Sequence, residues 1–375
     1  MKMKLGIHLS QHLPYNRTAK DSLHRLFRIE YFMPVEHNEF RSVLGHASQD
    51  GAIANLSGRP LLANTGIPLN LDWVREVRVN TSAVERRAQS QVARRTVKKE
   101  WQAAWLLRAI TCMDLTTLSG DDTDERVRRL CAKGRHPIQP ELEKKLGIEQ
   151  LQIKVAAICI YHTFVETALR ALEGSGVHVA AVSTGFPAGL SPLAERVNEI
   201  RRSVEAGAHE IDVVITRAHV FGGRWQALYD EVAAFKQACG SRHMKVILGT
   251  GDLLTLRNVA RASVVAMMAG ADFIKTSTGK EPTNATLSVG LVMTRAIREY
   301  AQQTGMAVGF KPAGGIRTAK QSIDWLAMIK EELGESWLRK EMFRLGASSL
   351  LGDIERQLEH QATGRYSAEY RHPLA

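Results

Sequence analysis

The sequence predicts an α/β chain built as a closed (β/α)8 (TIM) barrel with an N-terminal helical extension. Eight short β-rich runs recur along the last two thirds of the chain, over about 250 residues. Amphipathic segments of helical length lie between them. An open doubly wound sheet is the alternative architecture, but the G-x-G-x-x-G turn it usually carries after its first strand is missing.

The strand runs cover residues 112–118, 154–161, 178–186, 210–216, 244–250, 273–277, 307–311 and 345–350. Helices are expected over 192–206, 225–239, 254–269, 285–304 and 320–333, where apolar residues recur at helical spacing. Residues 82–108 hold no Gly or Pro, and Val84, Ala88, Val92, Trp101, Trp105 and Leu106 recur near helical spacing, so one long helix or a broken pair is expected there. The resulting division is an irregular or partly disordered extension over 1–70 and a helical segment packing on the barrel over 71–108. The barrel covers 109–360, and a tail, mobile by default, covers 361–375.

Of 375 residues, 44% are hydrophobic and 24% charged, an ordinary globular composition with enough apolar material for a large core. The net charge of +11 is uneven: residues 1–100 hold 16 Lys/Arg against 9 Asp/Glu, and the remainder 34 against 30. A basic first quarter reads as solvated helix in preference to a nucleic-acid or membrane patch, so neither partner is expected. Cys112, Cys131, Cys159 and Cys239 lack metal-ligand spacing and read as reduced core thiols, with no metal site and no disulfide. No run of 18 apolar residues exists, and residues 1–28 lack the apolar centre of a secretion signal. A cytoplasmic protein is expected, with a transit peptide as the alternative; a homo-oligomer remains open.

Two lysines end apolar runs: Lys275 in F-I-K-T-S-T-G-K and Lys311 in V-G-F-K-P-A-G-G. Burial disfavours an ammonium ion, and a second cation nearby disfavours it further. A pair of lysines inside a dry barrel therefore points to an amine kept neutral to attack a carbonyl, with Lys311 perturbing Lys275 and exchanging protons. Alternation puts Lys275 on one face with Phe273 and Ser277, and Lys311 with Gly309. Asp212, within E-I-D-V-V-I, is a buried acid suited to acid/base work or to a structural ion pair. Asp114, in M-D-L-T-T-L, is ranked as supporting, through charge balance or a substrate hydroxyl. Small residues after the last three strands suggest a phosphate site: Thr278, Gly279 and Lys280; Gly314 and Gly315; Gly346, Ser348 and Ser349.

From about residue 72 onward the chain resembles the deoxyribose-phosphate aldolases, most closely their longer animal-like form. The stretches that carry the resemblance are M-D-L-T-T-L-S-G-D-D-T, A-A-I-C-I-Y, G-F-P-A-G, E-I-D-V-V-I, A-D-F-I-K-T-S-T-G-K, G-F-K-P-A-G-G-I-R-T and F-R-L-G-A-S-S-L-L, in this order. The resemblance implies a class I aldolase that needs neither metal nor organic cofactor. It implies Lys275 as the Schiff-base lysine, Lys311 as its perturber, Asp212 as acid/base, and the glycine and serine clusters as phosphate ligands. The implied reaction is reversible cleavage of 2-deoxy-D-ribose 5-phosphate to D-glyceraldehyde 3-phosphate and acetaldehyde, a step of deoxyribonucleotide and carbohydrate catabolism. The rival expectations are a Schiff-base aldolase for another sugar phosphate and a non-catalytic barrel scaffold.

Overall fold

The computed structural model describes residues 53–373 apart from 95, 96 and 98. Eight parallel barrel strands follow one another in chain order: β3 (Met113–Thr116), β4 (Ala157–Tyr161), β5 (His178–Ser183), β6 (Glu210–Val214), β7 (His243–Ile247), β8 (Phe273–Lys275), β10 (Gly309–Lys311) and β11 (Leu345–Ala347). β11 returns beside β3, with Gly346 opposite Asp114. Bridges Phe310–Phe343 and Ala313–Gly346 join β10 to β11 and close the cylinder. The barrel thus has no free edge, as the eight-run pattern predicts.

Strand alternation sorts the core into two layers. Ile158, Ile160, Val179, Ala181, Ile211 and Val213 point outward into the layer shared with the helices. Ala157, Cys159, Ala180 and Val182 point inward and form a separate small cluster with Leu118. The inward positions are short because the interior must hold several long basic side chains. Gly309 is the clearest case: a Cβ there would lie 2.5 Å from the Phe273 ring.

The outer helices begin where their caps dictate. Thr255, Thr286 and Thr318 precede α10 (Leu256–Met268), α11 (Leu287–Thr304) and α12 (Ala319–Glu332), and each hydroxyl accepts from a first-turn backbone N–H. At Thr318 the Gln321 side chain reciprocates, completing a capping box.

The segment before the barrel departs from expectation in part. The first 52 residues of the predicted irregular extension lie outside the described residues. Residues 53–63 are not irregular: β1 (Ile53–Ala54) pairs antiparallel with β2 (Pro60–Ala63), and β2 pairs parallel with β9 (Met306–Ala307). Asn64 fastens this ribbon by donating to the carbonyls of Met267 and Ala271 and accepting from Tyr300 Oη. Short strands made by pairing with residue 306 leave little local signal. Of the two forms expected over 82–108, the broken pair is the one found, as α2 (Thr81–Arg94) and α3 (Lys99–Thr111). The described part of the tail is mostly exposed but is fastened at His372. After α13 (Leu350–Thr363) the chain turns at Gly364, with φ +75°, and His372 lies buried with its Nε2 3.0 Å from Glu359 and 2.8 Å from Ser367 Oγ. Among the described residues no helix is long and apolar enough to cross a membrane.

The tight interior yields a stability prediction. Gly309→Ala drives a methyl into the Phe273 ring, and overpacking of this kind costs about 1–3 kcal/mol. Urea unfolding should show a lower midpoint with an unchanged slope; an unaltered midpoint would mean that Phe273 can move aside freely.

Candidate active site

Lys275 and Lys311 stand directly opposite each other in the β8–β10 register, two residues above the pair Phe273–Gly309. Both side chains enter the barrel and meet on one atom: Asp212 Oδ2 lies 2.8 Å from Lys275 Nζ and 2.7 Å from Lys311 Nζ. The two lysines and Asp212 that the sequence singles out are therefore brought together. Asp212 is fully buried on β6. Its other oxygen, Oδ1, accepts from Lys245 Nζ at 3.0 Å.

Lys245 is a residue the sequence reading passes over. It sits on β7 opposite Asp212 and also contacts Glu210 and, at 3.8 Å, Asp114. Glu210 and Arg344 are likewise unanticipated. Arg344 donates to Asp114 Oδ1 at 2.6 Å and to Glu210 Oε1 at 2.6 Å, and its guanidinium lies 5.8 Å from the centre of the Phe273 ring. Asp114 Oδ2 takes Lys311 at 2.5 Å. Both oxygens of Asp114 are thus engaged by cations, which favours charge balance over contact with a substrate hydroxyl. His178 Nδ1 is 2.7 Å from Glu210 Oε1 and stacks on His209. The signals were present: Lys245 interrupts an apolar run as Lys275 does, and Glu210 precedes Asp212 by two, which puts both on one strand face.

Burial and charge oppose one another at every member. Burial alone would raise the Asp212 carboxyl, but Lys245, Lys275 and Lys311 reverse this and hold it well below the usual carboxylate range. Burial would also raise Glu210 and Asp114; Arg344 with Lys245, and Lys311 with Arg344, lower them instead. Burial works against the Lys311 ammonium, and Asp114 and Asp212 outweigh it, so its value is raised. Lys245 is raised for the same reason by Asp212 and Glu210. Cys159, 4.0 Å from Asp212 Oδ2, is pushed up by burial. The Lys275 side chain keeps 3% of its surface accessible, against 1% for Lys311 and 0% for Lys245.

The small residues after the last strands gather at the mouth above this cluster. Thr276 Oγ1 accepts from Ala313 N at 3.0 Å, and Gly346 N donates to the Pro312 carbonyl, so the three loops are tied to one another. Gly279, Gly314 and Gly315 have φ of +86°, +80° and +81°, the left-handed region that turns backbone N–H groups into concavities. Thr278 is buried, whereas Lys280, Gly315, Ser348 and Ser349 are exposed around the rim. A carboxylate already occupies one concavity: Glu281 accepts from Thr278 N, Thr278 Oγ1 and Gly279 N at 2.8–3.1 Å. Among the described residues no cluster of His, Cys, Asp and Glu could hold a metal ion.

A closed barrel with lysine amines meeting a carboxylate below a glycine-lined mouth agrees with the family match. Residues 108–351 match the model of the DeoC/LacD family aldolases, and the chain belongs to that family and is an aldolase. It is 58% identical over 312 residues to deoxyribose-phosphate aldolase of Mus musculus, spanning 83% of this chain and 98% of that protein. To deoxyribose-phosphate aldolase of Homo sapiens it is 56% identical over 314 residues, spanning 83% and 99%. Among solved structures it resembles the tetrameric deoxyribose phosphate aldolase of Aeropyrum pernix, with TM-score 0.50, 23% identity and coverage of 75% and 99%. An apo-form crystal structure from Toxoplasma gondii overlays with TM-score 0.60 at 23% identity, covering 69% and 98%. At these identities the structural likeness bears on the fold.

The charge cluster makes a signed prediction for acid stability. Asp114, Glu210 and Asp212 bind protons more weakly folded than unfolded, where carboxyls titrate near ~4. Their contribution is complete above about pH 5 and is lost as pH falls through the depressed folded values. The urea midpoint should fall steeply below about pH 4. A midpoint unchanged down to pH 3 would show that these carboxylates contribute nothing.

Proposed function

We propose that the chain is a deoxyribose-phosphate aldolase in which Lys275 forms the Schiff base. The observation that carries this reading is the sharing of Asp212 Oδ2 by Lys275 and Lys311. Lys311 and Lys245 are held as ammonium ions by their carboxylates, while Lys275 leans on one oxygen that it must share and keeps the most access to the mouth. It is the amine placed to attack.

The Lys275 amine adds to the C1 aldehyde of open-chain 2-deoxy-D-ribose 5-phosphate. Loss of water from the carbinolamine leaves an iminium, which accepts an electron pair as the C2–C3 bond breaks. Acetaldehyde carries C1 and C2, so this is the bond the products require. Asp212, directly or through water, takes the C3 hydroxyl proton as D-glyceraldehyde 3-phosphate departs. Protonation of the remaining enamine at C2 and hydrolysis then free acetaldehyde and the amine. The Lys311 ammonium, between Asp114 and Asp212, is the proton source for these returns. The chemistry needs no metal or organic cofactor.

The phosphate is assigned to the mouth loops, through N–H groups near Gly279, Gly314, Gly315 and Ser349 together with Lys280, Gly346 and Ser348. The Glu281 carboxylate in the turn of Thr278 and Gly279 supports this, since it fills an anion-shaped concavity with an anion. Fixing the phosphate orients C1 toward Lys275, and orientation alone supplies a large share of such rates.

Treatment with acetaldehyde and borohydride, followed by peptide mapping, should place an ethyl group on Lys275 and none on Lys311. Lys275→Ala should lower cleavage of 2-deoxy-D-ribose 5-phosphate to less than about a thousandth. Retention of full activity by that variant would overturn the assignment, and cleavage of a different sugar phosphate alone would leave the chemistry but change the substrate.

A further inference from the structure

We propose that Arg344 and Glu210, on the floor of the barrel, set the pH at which Lys275 becomes free to attack an aldehyde. They act as positioning residues, through the charge they add beneath the lysines. The proposal rests on the reading of Lys275 as the imine-forming residue.

The argument begins with a count of buried charges. Among the described residues, Lys245, Lys275, Lys311 and Arg344 pair inside the cylinder with Asp114, Glu210 and Asp212. A guanidinium does not lose its proton in a protein, so Arg344 always claims carboxylate. It claims the same two that steady the other lysines: Asp114, shared with Lys311, and Glu210, shared with Lys245. Three carboxylates then balance Arg344 and two ammonium ions. A third ammonium has no carboxylate of its own, and Lys275 is the lysine left sharing an oxygen. The surplus charge is best relieved by deprotonating it.

Around Arg344 and the lysines, the titratable groups among the described residues include Asp114 from β3, Cys159 from β4, His178 from β5, Glu210 and Asp212 from β6, and Lys245 from β7. Cys112 lies just before β3, and its thiol is pushed up to about 12 chiefly by burial. His209 backs His178. The charged side chains of the cluster are no more than 4% exposed, and His178, beside Glu210, is 34% exposed. Charges buried this way are screened little by salt.

The test is the rate of reductive trapping by acetaldehyde and cyanoborohydride from pH 5 to 10, with the modified lysine identified by mapping. Removing a cation in Arg344→Met should move the half-maximal pH upward by about one unit or more. Removing a carboxylate in Glu210→Gln should move it downward, and the paired variant Glu210→Gln with Arg344→Met should return close to the unmodified protein. Arg344→Lys, which keeps the charge, should stay near the original value. If Arg344→Met does not fold, Glu210→Gln against the paired variant gives the same sign test. Equal half-maximal pH in all proteins, or shifts of one sign in both single variants, would overturn the proposal. Absence of any Lys275 adduct in the unmodified protein at every pH would instead overturn the imine reading beneath it.

Discussion

Everything in this barrel is arranged around one oxygen atom, Asp212 Oδ2, which two lysine side chains must share out of contact with water. In water that arrangement would be worth little, because solvent screens both partners. Inside a closed cylinder it is strong, and it penalises a second charge: the carboxylate gains from a cation beside it, while one ammonium disfavours another at the same oxygen. Closure supplies this setting. The bridges from β10 to β11 complete the wall, and without them the lysines would face a wet groove.

The chain makes room for this chemistry by giving up apolar volume. Ala157, Ala180, Gly309 and Gly346 occupy inward positions where a purely structural barrel would carry larger branched residues. A Cβ on Gly346 would lie 3.2 Å from Lys311 Cε, and one on Gly309 would meet Phe273. The vacated space is filled by long basic side chains lying across the axis, so polar pairing replaces part of the usual interior packing. Such pairing is stabilising only while complete. Removing one member leaves its partners buried and unpaired, and this class of change is among the most damaging a core can suffer.

The order of strands and helices was legible because each is a local pattern: β8 and β10 are apolar runs ending in lysine, and α9 (Trp225–Cys239) coincides with its amphipathic stretch. The pair Lys275–Lys311 and its acid Asp212 were legible for a related reason, since a charge inside an apolar run stands out. Lys245, Glu210 and Arg344 carry a similar mark and were still missed. Their meaning lies in which charges close the circle, and that depends on register between strands 30 to 130 residues apart. The β1–β2 ribbon was missed on the same grounds, because β2 is a strand by virtue of β9. What a window of sequence shows is the tendency of a segment; which partner completes it is settled at long range.

The two ends of the cylinder divide the work. At the mouth, glycines with positive φ shape backbone concavities, and Glu281 shows that one such turn accepts a carboxylate. At the floor, the Arg344 guanidinium lies over the Phe273 ring, and both are buried. The floor of a barrel of this class is usually read as a matter of stability alone. In this chain the same groups that hold the floor shut also determine how many protons the lysines above them can keep, so stability and reactivity are set by one set of ion pairs. A substitution on the floor should therefore seldom change one without the other.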